Sequence, residues 1–234
     1  VDYSHWQKLW LQGDVLEQQL NYWKQQLSGV AVLSLPTDRP RPTLQTYRGS
    51  VYHFKIPKKL KKPLDELCRS QDVTLYMMLL ASFQILLARY SGQTDVAVGS
   101  PIAGRNRSEL ESLVGFFINT LVMRADLSQN KPFNQFLSDT KETALSAYAH
   151  QDLPFEKLVE ALQPKRDMSH SPLFQVMFVL QNIPSNELKG IDLILSSLEY
   201  ESTLAKFDLT MTLVESDDEL DGGIEYNTDL FEVA

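Results

Sequence analysis

The chain has 234 residues, with 22 Lys and Arg against 30 Asp and Glu, a formal net charge of −8 that disfavours a nucleic-acid partner. With 43% hydrophobic and only 22% charged residues, it has the composition of a folded globular protein rather than a disordered acidic one. The one cysteine, Cys68, can neither close an internal disulfide nor build a multi-cysteine zinc site, which fits a reducing, cytoplasmic compartment; the longest apolar run, within residues 75–87, is broken by Ser82 and Gln84 and falls short of the ~20 residues that span a bilayer.

The opening Val1-Asp2-Tyr3-Ser4-His5-Trp6 has neither an initiator Met nor a signal-type start, so the chain reads as cut from something longer. Trp6, Leu9, Trp10, Leu16, Leu20, Trp23 and Leu27 recur at helical spacing up to Ser28-Gly29, which predicts one amphipathic helix over residues 3–28 with its tryptophans used in packing. Pro36, Pro40 and Pro42 mark an extended connection. Alternation over residues 47–56 predicts a strand that leaves His53 on its more polar face, and Pro57 introduces a helix over 58–70. Lys58, Lys59, Lys61 and Lys62 on that helix are read as a solvated face, with contact to an acidic partner domain as the alternative. Thr74 and Gly92 bracket a helix over 75–91, apolar nearly all round and therefore central.

Residues 95–101 form a short strand pattern, and the following Gly104-Arg105-Asn106-Arg107 turn carries two arginines read as surface ion-pair partners, with an anion grip as the alternative. Residues 116–124 read as a largely buried strand, 133–150 as a helix behind Pro132, and Pro154 restarts a helix through 162. Strand patterns near 174–181, 191–201, 206–215 and 219–226 complete an α/β reading: a mixed sheet with helices packed on it. Leu230-Phe231-Glu232-Val233-Ala234 resembles the start of another helix.

Few residues form a self-evident reaction centre. His150-Gln151-Asp152 has the residue types of a general base and its orienting carboxylate, but residues two apart on a helix diverge, and Asp152 before Pro154 is read as the cap of the next helix. His170 lies among Arg166, Asp167, Ser169 and Ser171 without a Gly-x-Ser-x-Gly elbow, and neither a dinucleotide fingerprint nor a His-Glu-x-x-His zinc motif occurs.

Four segments in order are more telling: Asp2-Tyr3-Ser4-His5-Trp6, residues 114–124 (Val-Gly-Phe-Phe-Ile-Asn-Thr-Leu-Val-Met-Arg), residues 150–156 (His-Gln-Asp-Leu-Pro-Phe-Glu) and residues 166–173 (Arg-Asp-Met-Ser-His-Ser-Pro-Leu). Together they resemble the last four signature motifs of nonribosomal peptide synthetase condensation domains. Gly99-Ser100-Pro101-Ile102-Ala103-Gly104-Arg105 and Gly223-Ile224-Glu225-Tyr226-Asn227-Thr228 extend the resemblance over residues 1–234. It implies one chloramphenicol acetyltransferase-like lobe of a two-lobed domain that joins a carrier-bound aminoacyl or peptidyl thioester to a carrier-bound acceptor amine.

In that family the chemistry centres on a His-His-x-x-x-Asp-Gly motif in the first lobe. This chain has four histidines, at 5, 53, 150 and 170, and no His-His pair, so the resemblance is to the C-terminal lobe and implies no catalytic histidine here. It implies partners as well: the missing N-terminal lobe, peptidyl carrier domains bearing phosphopantetheine, and an adjacent adenylation domain, with no cofactor held by this chain. Ser100 and Asn119 become candidates for polar positions near the reacting groups, with Asn119 and Arg124 alternatively tying strands together. Trp6, Gln151 and Asp152 are motif positions with structural roles, and Arg166 and Asp167 are loop-fixing charges. His170 and Ser171 stand where the motif commonly carries Arg and Asn, so no contact of those side chains is transferred. The face turned to the absent lobe is expected to be exposed to water and, if large and apolar, to associate with itself or another partner. A non-catalytic carrier-binding module and an epimerisation-type homologue are the competing readings, and a coenzyme A acyltransferase is a remoter one.

Overall fold

The computed structural model describes residues 2–105, 107–164, 167–181, 203–215 and 219–233. The helix expected over residues 3–28 is two helices, α1 (Asp2–Trp10) and α2 (Gly13–Gln26). Gly13 sits at φ +53°, a conformation that breaks the helical path and that a side chain rarely adopts, so the apolar periodicity continues across a break it does not reveal. An irregular connection follows. Its Leu33 N–H donates to Gln175 Oε1 at 2.7 Å, and the N–H groups of Asp38 and Arg39 donate to the Leu230 carbonyl at 2.9 and 3.2 Å. The residues around Leu230 therefore form a turn, and the helix expected to start there is not present at residues 230–233.

The next elements are β1 (Gly49–Ile56), α3 (Lys58–Ser70), α4 (Leu75–Ser91), β2 (Asp95–Ile102) and the short α5 (Ser108–Glu111). α4 ends as its sequence predicts: Thr74 Oγ1 accepts from the Met77 N–H at 3.2 Å, and Gly92 closes the helix at φ +69°. α3 departs from expectation at Lys61, which is buried and bound to Asp65 at 2.8 Å and to Glu215 at 2.9 Å, whereas Lys58, Lys59 and Lys62 are exposed. A lysine in the middle of the cluster thus pins α3 to the sheet through a carboxylate that local sequence does not show.

β3 (Asn119–Asp126), α6 (Phe133–Ala149), α7 (Phe155–Leu162), β4 (Val176–Gln181), β5 (Leu209–Glu215) and β6 (Leu220–Asn227) complete the chain. The strand expected near residues 191–201 lies outside the described residues. Among the described residues the six strands form one mixed sheet in the order β1-β6-β5-β4-β2-β3, with β4 parallel to both β5 and β2 and the other neighbours antiparallel.

Helices cover both faces. α4 lies over the face carrying Val98, Met123 and Phe178, where Gln84 Nε2 donates to the Met123 carbonyl at 3.0 Å and Phe83 meets the Phe178 ring at 5.8 Å. α2 and α7 lie over the other, where Trp23 is buried and its Nε1 donates to the His150 carbonyl at 2.9 Å. Enclosure on both sides explains the unbroken apolar runs of β2 and β3. Among the described residues no single helix is long and apolar enough to cross a membrane.

Candidate functional site

β3 begins later than the sequence suggests. Its first residue is Asn119, and the Phe116 and Ile118 side chains expected inside a buried strand are exposed. The preceding loop folds back on Gly104, where φ is +63° and a Cβ would lie 1.8 Å from the Phe117 carbonyl oxygen, so only glycine fits.

The pairing of Ile102 with Asn119 puts that asparagine at the carboxyl end of β2, facing the turn between α6 and α7. Its Nδ2 donates to the carbonyls of Gln151 and Leu153, both at 2.8 Å, and its Oδ1 accepts from the N–H groups of Thr120 at 2.9 Å and Phe155 at 3.0 Å. Phe155 is the first residue of α7, and the cap position is Pro154, which makes no side-chain hydrogen bond. The cap expected from Asp152 is therefore supplied by Asn119 from another strand. Gln151 enters through its main chain, and Asn119 spends its amide on four main-chain groups.

Beside this turn α1 and the loop before β3 are joined by rings and cations. Tyr3 meets Phe117 edge-on at 4.9 Å, Trp6 stacks on Trp10 at 5.4 Å, and the guanidinium groups of Arg105 and Arg107 lie 4.4 Å from the ring centroids of Phe117 and Trp6. The two arginines thus rest on aromatic faces, and Arg105 also donates to the Leu110 carbonyl; among the described residues neither forms the surface ion pair expected of it. A groove of about 270 Å³ runs between Tyr3, Phe117, Asn119, Gln151, Asp152 and Phe155. Burial and the neighbouring Asp152 carboxylate push the Tyr3 phenol above its ordinary range.

Ser100, two residues inside this end of β2, is 2% exposed. Val98 pairs with Val176, so Ser100 lies on the same sheet face as Phe178, under Tyr76 of α4 and Tyr148 of α6. Burial pushes both phenols up, that of Tyr76 well beyond the usual tyrosine range.

The remaining predicted positions lie apart from this end. Arg124 grips Asp95 with two bonds of 2.8 and 2.9 Å and donates to the carbonyls of Gln26 and Ser28 at 3.0 and 2.9 Å, closing the end of α2. Asp167 accepts from the Ser169 N–H at 2.8 Å and lies 3.4 Å from His170 Nε2, while Arg166 lies outside the described residues. His150 stacks on Tyr22 at 3.9 Å and 7°, and its Nδ1 lies 2.8 Å from the Ser146 carbonyl; the flat stack leaves the ring packed rather than poised as a base. Burial pushes the Tyr22 phenol up to about 12. Sequence reasoning passed over Tyr76 and Tyr148. The signal for Tyr76 is a hydroxyl inside the apolar first two turns of α4.

The family model described as the condensation domain matches residues 1–234. The chain belongs to the condensation-domain family. This condensation-domain chain is 56% identical to a linear gramicidin synthase of Brevibacillus parabrevis over 237 residues, which covers 100% of it and 3% of the relative. Among solved structures it is similar to the X-domain from teicoplanin biosynthesis, with a TM-score of 0.87 and 26% identity over 99% of this chain and 54% of that one. It is similar too to a four-domain nonribosomal peptide synthetase bound to AMP and glycine, with a TM-score of 0.83 and 28% identity over 94% of this chain and 18% of that one. The chain thus spans a small part of the synthetase relative and about half of the X-domain chain.

Proposed function

We propose that this chain is the second lobe of a condensation domain of a cytoplasmic nonribosomal peptide synthetase and supplies one wall of the channel in which an amide bond forms. In the intact domain the nitrogen of an acceptor amine on one carrier domain attacks the thioester carbonyl carbon of a donor on another. The C–N bond forms, the C–S bond breaks, and the phosphopantetheine thiol leaves with the proton that the nitrogen loses. The observation that carries the reading is the whole-chain family match combined with a sequence that has no His-His pair.

The division of labour follows from that pairing. The imidazole of the first lobe handles or positions the amine proton, a contribution of about 10²–10⁴-fold for general base help. This chain contributes orientation: the carboxyl end of β2 with Ser100, and the turn at residues 150–155 that Asn119 holds. An adenylation domain and carrier domains are the partners such an assembly needs.

A turnover assay with two loaded carrier proteins tests the reading. The 234-residue chain alone is expected to give no amide product, and the intact two-lobed domain from the same synthetase is expected to give it. Product from the chain alone would overturn the assignment.

A further inference from the structure

A groove of about 600 Å³ opens where α4, α6 and β3 meet, beside the Arg124–Asp95 pair and at the opposite end of β3 from Asn119. Gln84 of α4 lines it and is 1% exposed. Its Nε2 donates to the Met123 carbonyl at 3.0 Å, and turning the amide over would set two oxygens against each other, so the atom left for the groove is Oε1. That oxygen has no hydrogen-bond partner. A buried acceptor without a donor is costly, and a fold that keeps one against an open groove leaves it for a donor that enters from outside.

The charges point the same way. Of the three carboxylates on the groove, Asp95 is held by Arg124 at 2.8 Å and Asp139 by Lys131 at 2.6 Å. Asp126, exposed at the rim, accepts from the Ser128 N–H at 2.8 Å and closes no ion pair among the described residues. The Ser128 hydrogen bonds hold its carboxyl below the ordinary range, so its charge persists at neutral pH. Thr140 Oγ1 has already donated to the Phe136 carbonyl at 3.0 Å, which leaves it lone pairs only. The groove therefore has acceptors in excess and one negative charge more than its cations balance, with Ala125 and Phe136 as its apolar lining.

We propose that this groove is a binding site for a primary alkylammonium group, which donates an N–H to Gln84 Oε1, sets its charge beside Asp126 and lays its carbon stem against Phe136. An ammonium brings three donors and no acceptor, the complement of what the groove offers. The same group is carried by a free diamine or by a lysine side chain of an adjoining protein segment. The site is separate from the wall assigned to the condensation reaction and does not depend on that assignment.

The test uses the condensation domain that contains this chain and follows the backbone amide resonances of Asp126 and Thr140 as butylammonium chloride is added at constant ionic strength. Saturable shifts are expected. Butyltrimethylammonium, which brings the charge without a donor, is expected to bind about tenfold more weakly. Gln84→Met keeps most of the volume and removes the acceptor, and is expected to weaken butylammonium binding about tenfold, whereas Asp126→Asn costs about threefold, as for a screened rim charge. Shifts that rise linearly without saturation would overturn the proposal and leave an ordered water as the occupant. Equal affinity for the two cations, or an unchanged Kd in either variant, would overturn it as well. Thermal unfolding without ligand checks that Gln84→Met is folded; if it is not, the comparison of the two cations on the parent domain decides the role of Gln84 Oε1. Titrations with 1,4-diaminobutane and with acetyl-lysine methylamide separate the two sources, the tighter binder identifying the free diamine or the lysine side chain.

Discussion

The two ends of the β2–β3 pair differ in what they present: an ion pair spent on protein partners at one, exposed apolar side chains at the other. At the end where β2 begins, Arg124 meets a carboxylate and the carbonyls of Gln26 and Ser28, and Asp95 also accepts from the Ala31 N–H at 3.1 Å, so this charged pair is spent on protein partners, although the nearby Gln84 Oε1 has none. At the end where β3 begins, Asn119 is saturated but its surroundings are not. The Tyr76 hydroxyl is orphaned, and Val114, Phe116 and Ile118 stand in solvent. A closed end holds the sheet to its helices. An end with unspent hydrogen bonds and uncovered apolar surface is poised to meet something else.

The largest effect is expected where the closed end is opened. Arg124→Met removes all four donated bonds and leaves Asp95 and two carbonyls of the α2 terminus without their partner, while keeping most of the aliphatic volume. A loss of about 3 kcal/mol is expected, because the pair is only a quarter exposed and one of its charges is left behind. Urea unfolding measures it. Arg124→Lys is expected to recover only part, since an ammonium cannot hold the carboxylate with two parallel bonds while also reaching two carbonyls. A loss below about 1 kcal/mol for Arg124→Met would erase the contrast between the ends.

Asn119→Ala comes next, with an expected loss of about 2 kcal/mol from two carbonyls and a helix N–H that lose their partner near solvent. The loss has an address: amide hydrogen exchange is expected to accelerate at residues 120 and 155 and to remain unchanged around Arg124. Uniform acceleration over β3 would mean that Asn119 supports the whole strand rather than the turn at its end.

These two residues also show what a sequence can carry. Helix α4 was legible because its signals are local: a capping threonine, an apolar run and a glycine at the correct offset. The mixed sheet was legible from strand patterns, and the family from four ordered motifs. The cap that Asn119 gives to α7 crosses 36 positions, and no local rule connects them. Asp152 was the better local candidate, and the fold chose the distant one. The break at Gly13 was hidden because apolar periodicity resumes beyond it, and Lys61 looked solvated because Glu215 lies on a strand far along the chain. At the site, motif residues mark the region, but which of them point inward is a property of the loop that Gly104 closes.

The smallest effect is expected at Phe116, and its neighbour makes it informative. The residues at 116 and 117 have the same side chain and adjoining positions in one motif. Phe116 is 86% exposed, whereas the Phe117 ring lies between Tyr3 and the Arg105 guanidinium. Phe116→Ser is therefore expected to change the stability of the single chain by less than about 0.5 kcal/mol, and Phe117→Ser to cost about 2 kcal/mol through lost ring burial and the cation–π contact. Urea unfolding of both variants separates packing from presentation. If the proposed first lobe covers that ring, Phe116→Ser is expected to become costly in the longer synthetase domain. A cost already present in the single chain would mean that the loop packs on its own lobe and that the open end is less open than its exposed rings suggest.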